Sequence, residues 1–268
     1  MGTIQDYAIH PFQLPPPGAP RPPLGFVVWA GTWPQPGGLG TPVNLTYGFV
    51  NYGPAGVLDE DDVRVIVEDM LGLWAAVAPL HFTEAEDTGL AFNHPDADVP
   101  DIRIRFEPDD GPNGHLGTTY PPPQPGEPEW WTGWGDMSFD SAENWVDGTG
   151  GYDLNEVVAH ELGHALGLRH ETSVTCLMNP NYKGAAWTGG LYTDDINGIQ
   201  SLYGSGSGGV NPLGPPICWQ ATASMPDGTV WRDSGSGPCP AVIRVPRGAS
   251  DIVVTDDGRH VSPRIVGG

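Results

Sequence analysis

The sequence predicts an α+β fold with a small β-rich appendage. Three observations carry this expectation. Segments rich in aromatic and β-branched residues lie on both sides of a long amphipathic helical pattern. Two further helical patterns follow in the second half of the chain. Short β-type runs then return after a Gly/Ser-rich interruption near the C terminus.

Residues 1–24 carry Pro15, Pro16, Pro17, Pro20, Pro22 and Pro23 and read as an extended arm. Residues 26–29 and 45–50 read as strands. Val63, Ile66, Val67, Met70, Leu71 and Trp74 recur at helical spacing, with Asp59 or a neighbouring acid as the cap, and Pro79 ends that helix. Residues 102–106 alternate apolar and charged side chains, as a strand with one buried face does. Residues 107–150 show little periodicity and are expected to form a long loop that is functional or organised by ligands. Asp153 with Glu156 resembles a capping box opening a helix that runs to Leu166. A last helix is expected over residues 193–202, with Ile196, Ile199 and Leu202 facing inward. Residues 241–245 and 251–254 read as strands. The domain boundaries implied are an arm at 1–24, a main domain at 25–204, a linker at 205–216 and a β-rich module at 217–268 of no evident role.

The chain holds 33 acidic residues against 11 Lys and Arg, a formal net charge of -22. Such a surface repels nucleic acid and anionic membranes and excludes both as partners. It also supplies the oxygen donors that calcium prefers. No apolar run reaches the length of a membrane span, and residues 1–10 lack the basic and apolar regions of an export signal. Of the three cysteines, Cys218 and Cys239 flank a Gly/Ser/Pro-rich segment and can form a disulfide, two unpaired thiols being the alternative. Cys176 reads as a small buried hydrophobe.

The chemistry concentrates in residues 160–170, His-Glu-Leu-Gly-His-Ala-Leu-Gly-Leu-Arg-His. Positions four apart share a helix face, so His160 and His164 can offer two imidazoles to one ion. Gly167 can adopt the left-handed conformation that stops a helix, returning His170 as a third donor. Three protein ligands leave one tetrahedral position of Zn²⁺ open for water, the arrangement of a catalytic site. Glu161 then stands beside the metal as general base. The alternative is three solvent-facing histidines on a surface helix, but the extended spacing is hard to reach by chance.

This pattern resembles the metzincins. Met178, within Cys176-Leu-Met-Asn-Pro180, looks like the methionine of their turn beneath the metal. Within that group the chain is most similar to the matrixins, over residues 25–204. The likeness includes residues 45–47, Trp74, 79–82, 101–104, Gly135-Asp136, Phe139-Asp140, Trp145, 194–200 and 202–204. It implies a twisted, mixed five-stranded sheet with three helices, and a metalloendopeptidase that binds protein or peptide substrate as an added strand. The implied substrate edge is residues 116–120, with Leu116 and Gly117 as contacts. Pro180 and Tyr182 form the implied wall of the main specificity pocket. The resemblance also implies calcium held by Asp110, Asp140 and Glu143, and a second calcium near Asp101 and Asp136.

The chain departs from the family in several places. Thr118 and Ser138 stand where matrixins carry two histidines of a structural zinc, so one catalytic zinc and no structural zinc are expected. His94 and His115 read as loop residues. Glu171 follows the third His where matrixins usually carry Ser. Astacins carry Glu there, but they place Tyr two residues after the turn Met, where this chain has Pro180. No Pro-Arg-Cys-Gly latency motif is present, and Asp6 or His10 is the only arm residue suited to touch a zinc. The expectation is therefore a secreted, monomeric zinc endopeptidase. A catalytically idle zinc-binding module for adhesion or surface attachment is the rival.

Overall fold

The computed structural model describes residues 3–6, 25–53, 58–89, 99–126 and 133–205, and in the C-terminal part 218–226, 230–236, 242–245, 250–256, 259–260 and 264–267. The chain divides into two compact units, residues 1–208 and 209–268.

Among its described residues the first unit contains ten strands: β1 (Thr3–Asp6), β2 (Val27–Val28), β3 (Val43–Phe49), β4 (Leu80–Glu84), β5 (Ile102–Glu107), β6 (His115–Thr119), β7 (Met137–Asp140), β8 (Trp145–Val146), β9 (Tyr152–Asp153) and β10 (Leu168–Arg169). Its helices are α1 (Glu60–Ala75), α2 (Leu154–Ala165) and α3 (Thr193–Tyr203). Strands β6, β7, β5, β3 and β4 form the expected mixed five-stranded sheet, with β6 antiparallel to β7 and the other pairs parallel. The N-terminal arm departs from the expectation of a detached extended segment. Its residues Thr3–Asp6 add a sixth strand, parallel to β6.

Helix α1 begins where a reciprocal capping box forms. Asp59 accepts from the Asp62 amide at 2.9 Å and Asp62 accepts from the Asp59 amide at 3.1 Å. Its apolar stripe, including Val63, Val67, Met70 and Trp74, is buried. Trp74 Nε1 donates to the Ala159 carbonyl at 3.0 Å, tying α1 to α2 in the interior. These side chains share one core with Leu45, Ile104, Leu116 and Phe139 of the sheet.

Three sequence expectations need correction. Strand β5 is not half-exposed: Arg103 is fully buried, and its guanidinium meets Asp87 at 2.6 and 3.0 Å. A buried charge is tolerated when it is paired in this bidentate way. Residues 107–150 are not a single loop, since β6, β7 and β8 lie within them. These strands are short, so partners distant in sequence define them. In α3 only Ile199 of the three expected residues is fully buried, while Tyr203 joins the core.

The second unit contains strands β11 (Cys218–Ser224), β12 (Val230–Ser236), β13 (Val242–Val245), β14 (Ser250–Asp256), β15 (Arg259–His260) and β16 (Arg264–Gly267). Four of them form an antiparallel sheet in the order β12-β11-β14-β15, and β13 and β16 pair in parallel. Cys239 lies outside the described residues, as do His10 and His94. Among the described residues no helix is long and apolar enough to cross a membrane.

Candidate metal centre

Helix α2 is buried along nearly its whole length, which fits its weakly polar sequence. Asp153 caps it, accepting from the Asn155 amide at 3.1 Å. The capping box read from sequence does not close. Glu156 turns away and accepts from the amides of Lys183 and Gly184 at 2.7 and 2.8 Å. Burial raises the Glu156 carboxyl above its usual range, and those two amides oppose the rise.

The far end of α2 explains how the third histidine arrives. Gly167 takes φ +109°, stopping the helix. The carbonyls left over at the terminus are satisfied from elsewhere: Trp33 Nε1 donates to Ala165 at 2.8 Å and the Tyr203 hydroxyl to Leu166 at 2.8 Å. The reversed chain then pairs antiparallel with β2 as β10. His170 follows directly.

The three imidazoles converge. Nε2 of His160 lies 3.1 Å from that of His164 and 3.1 Å from that of His170, and the last two are 3.2 Å apart. A tetrahedral ion with Zn–N bonds of about 2.0–2.1 Å needs nitrogens roughly 3.3 Å apart, so the trio fits zinc. The outer nitrogens fix the tautomers of the helical pair. His160 Nδ1 donates to the Leu177 carbonyl at 2.9 Å and His164 Nδ1 to the Leu168 carbonyl at 2.9 Å. A carbonyl can only accept, so each Nε2 is left with its lone pair toward the centre. Burial, reinforced by the neighbouring histidines, pushes the His160 pKa well below its usual value and keeps it neutral.

Met178 is buried against α2, one residue beyond the Leu177 carbonyl that meets His160, and a β-carbon on Gly163 would lie 2.4 Å from its sulfur. The turn is held by Asp195 of α3, whose carboxylate accepts from the amides of Leu177 at 2.8 Å, Met178 at 3.2 Å and Tyr192 at 2.9 Å. Glu171 closes the loop through its backbone: its amide donates to the Met178 carbonyl at 3.0 Å, and its carbonyl accepts from the Cys176 thiol at 3.3 Å. Burial pushes that thiol up to about 12, consistent with an inert packing role.

Glu161 is fully buried between α2 and β6. The Thr119 hydroxyl donates to its Oε2 at 2.5 Å. On the same face of β6, a β-carbon on Gly117 would lie 2.9 Å from its Oε1. The expected substrate contacts fall around this strand and the 180–186 segment. Leu116 has its side chain in the core, so only its backbone can meet a ligand. Tyr182 accepts from the Asp153 amide at 2.7 Å and packs edge-on against Tyr152, while Pro180 is partly buried just beyond Met178. Thr118 and Ser138 pair across β6 and β7, and Ser138 donates to Glu107 at 2.8 Å, which also pairs with Arg105.

The acids proposed for calcium separate into two places. Asp110, Asp140 and Glu143 each accept from an amide of residues 109–115, those of His115, Gly111 and Gly114 at 2.9, 3.0 and 3.1 Å, while the ligand atoms that lie within 4.8 Å of one another there are those of Asp109, Asp110 and His115. Asp140 and Glu143 are buried, which a hard cation compensates. His115 Nδ1 stands 3.5 and 3.6 Å from Asp109 and Asp110. Asp136 is fully buried; among the described residues neither carboxylate oxygen accepts a hydrogen bond, and Arg103 Nη1 stands 3.9 Å from its Oδ2. Its expected companion Asp101 directs its carboxylate to Thr46, meeting the amide at 2.7 Å and the hydroxyl at 2.9 Å. The Asp101 carbonyl lies 2.6 Å from where a β-carbon on Gly135, the residue before Asp136, would be.

Sequence reading missed Thr119 and the buried roles of Glu156 and Asp195. A hydroxyl in a strand and acids in the first turns of helices have no signature that tells a buried role from a solvated one.

Residues 39–204 match the profile of the matrixin family, more than half of the 268-residue chain. The chain is similar to interstitial collagenase of Equus caballus (39% identical over 183 residues) and of Sus scrofa (40% over 182), and to neutrophil collagenase of Homo sapiens (38% over 177). Each match covers 64% of this chain but only 34–35% of the relative, so the chain matches about a third of their length. With the metal-binding geometry and the family match falling on the same segment, the chain belongs to the matrixin family.

Proposed function

We propose that this protein is a zinc-dependent endopeptidase in which His160, His164 and His170 hold the metal and Glu161 is the general base. The observation that carries this reading is the convergence of three Nε2 atoms within 3.2 Å, with the Glu161 carboxylate on the adjoining residue of the same helix. Zinc bound there would supply Lewis acidity, polarising a scissile carbonyl and acidifying a water. Glu161 accepts the proton of the attacking water and returns it to the departing amine. Its burial keeps the carboxylate out of bulk solvent and held in one place.

The substrate, on this reading, is a peptide chain lying as a strand along β6, with Leu116 and Gly117 offering backbone groups and Pro180 and Tyr182 bounding the pocket for the residue after the cut. In the structure β1 pairs with that strand, from Thr3 opposite His115 to Asp6 opposite Thr119. A substrate and the arm therefore compete for one edge. We assign calcium to Asp110, Asp140 and Glu143, and a second ion to Asp136 with the Asp101 carbonyl. Calcium loops of this kind suit an extracellular protein acting as a monomer.

A non-catalytic zinc-binding module is the competing reading, and the placement of Glu161 disfavours it. The deciding experiment is Glu161→Gln. Cleavage of a peptide library should fall about 10²–10⁴-fold while zinc content stays unchanged. Wild-type turnover in that variant would remove the proposed mechanism. A chelator should likewise abolish cleavage and added zinc restore it.

A further inference from the structure

A long side chain anchored only at its helix does not hold a carboxylate in one place. Glu161 leaves α2 one residue after His160, and its side-chain torsions must be set by something outside that helix. In this fold β6 sets them. Gly117 and Thr119 are two apart in the strand and so face the same side. The absence of a β-carbon at Gly117 admits the carboxylate, since one built there would lie 2.9 Å from Oε1 and 3.1 Å from Cδ. The Thr119 hydroxyl then meets Oε2 at 2.5 Å, with both residues buried.

From this geometry we infer that Thr119 is a positioning residue for the catalytic base, fixing Glu161 through Oε2 so that Oε1 handles the proton. The inference rests on the reading of Glu161 as that base. Threonine suits the task because its branched β-carbon restricts its rotamer in a strand, so the hydroxyl direction is set by the backbone. Strand β6 is itself held by β7, with Thr119 opposite Met137. The hydroxyl does not touch the reacting atoms. It acts through the carboxylate, and misplacing a reacting group by about 1 Å can cost on the order of 10²-fold in rate.

The test compares Thr119→Val, which keeps shape and removes the hydroxyl, with Thr119→Ser, which restores it. The zinc-loaded full chain is assayed on a peptide substrate with kcat and KM determined separately, alongside zinc content, melting temperature and a crystal structure of each variant. The expected result for the valine variant is a kcat at least about tenfold lower at unchanged KM and zinc content, with the Glu161 carboxylate displaced. The serine variant should recover kcat to within about threefold and return the carboxylate. Equal kcat in valine variant and parent, or equal impairment in valine and serine variants, overturns the assignment. Should Thr119→Val fail to fold, Thr119→Ala carries the same comparison. Glu161→Gln, run in parallel, separates the two readings. An inactive Gln variant beside a fully active Val variant sinks only the role of Thr119, whereas an active Gln variant sinks the base itself.

Discussion

A β-carbon on Gly163 would stand 2.4 Å from the sulfur of Met178, so helix α2 and the turn beneath the histidines are fitted to each other at one missing methyl. Overpacking a filled interior costs about 1–3 kcal/mol. Gly163→Ala should therefore lower the melting temperature. It should also weaken zinc binding about tenfold or more, because His160 is oriented by the carbonyl of Leu177, next to Met178. Calorimetry and competition with a chelator measure the two effects. Wild-type zinc affinity would show that the turn does not support the metal.

Asp195 gathers three amides from two segments at a fully buried position. Its removal leaves those donors unsatisfied, at about 1–3 kcal/mol for each group that water cannot reach. Asp195→Ala should be among the most destabilising single substitutions in the matrixin segment, with Asp195→Asn intermediate. Denaturant titration of both variants tests the order.

Elemental analysis should find one zinc per chain, and His164→Ala should fall to near none after dialysis. Thr118 and Ser138 are hydroxyl residues, which are poor zinc ligands. Two zinc ions per chain, with one surviving His164→Ala, would show a second zinc site and overturn the expectation of a single one, Asp109, Asp110 and His115 being the other described cluster of metal-ligating groups.

Asp136 makes calcium dependence and pH dependence one question. Burial, only partly offset by Arg103 and Arg105, raises its pKa from 3.8 to about 8. In the calcium-free protein the native state keeps a proton that the unfolded chain has released above about pH 4. Stability from this group is thus full at low pH and declines as pH rises from about 4 to about 8. Asp136→Asn should flatten that decline, and calcium should reduce it in the parent. The melting temperature should respond by about 2–4 °C per kcal/mol. A calcium-free parent and Asp136→Asn with superimposable pH profiles would refute the assignment.

Because β1 lies on β6, deleting residues 1–24 should help substrate bind. A tethered segment competes at an effective concentration in the millimolar range. The truncated protein should show KM lowered about tenfold with kcat nearly constant. An unchanged KM would mean that the arm and the substrate do not share the edge.

The sequence by itself made the histidine trio legible, because helical spacing brings His160 and His164 together and Gly167, three residues before His170, supplies the turn that returns the third imidazole. It also determined α1 and its cap at Asp59, where a local capping box and a local apolar stripe carry the information. Local signals of this kind depend on residues a few positions apart. Tertiary structure decided what no short window contains. Arg103 is buried because Asp87 folds over it, Glu156 leaves its expected cap because Lys183 and Gly184 offer amides, and Thr119 meets Glu161 across 42 residues. In each case a polar group's role is set by the partner that reaches it once water is gone, and that partner is chosen only when the sheet and helices have packed.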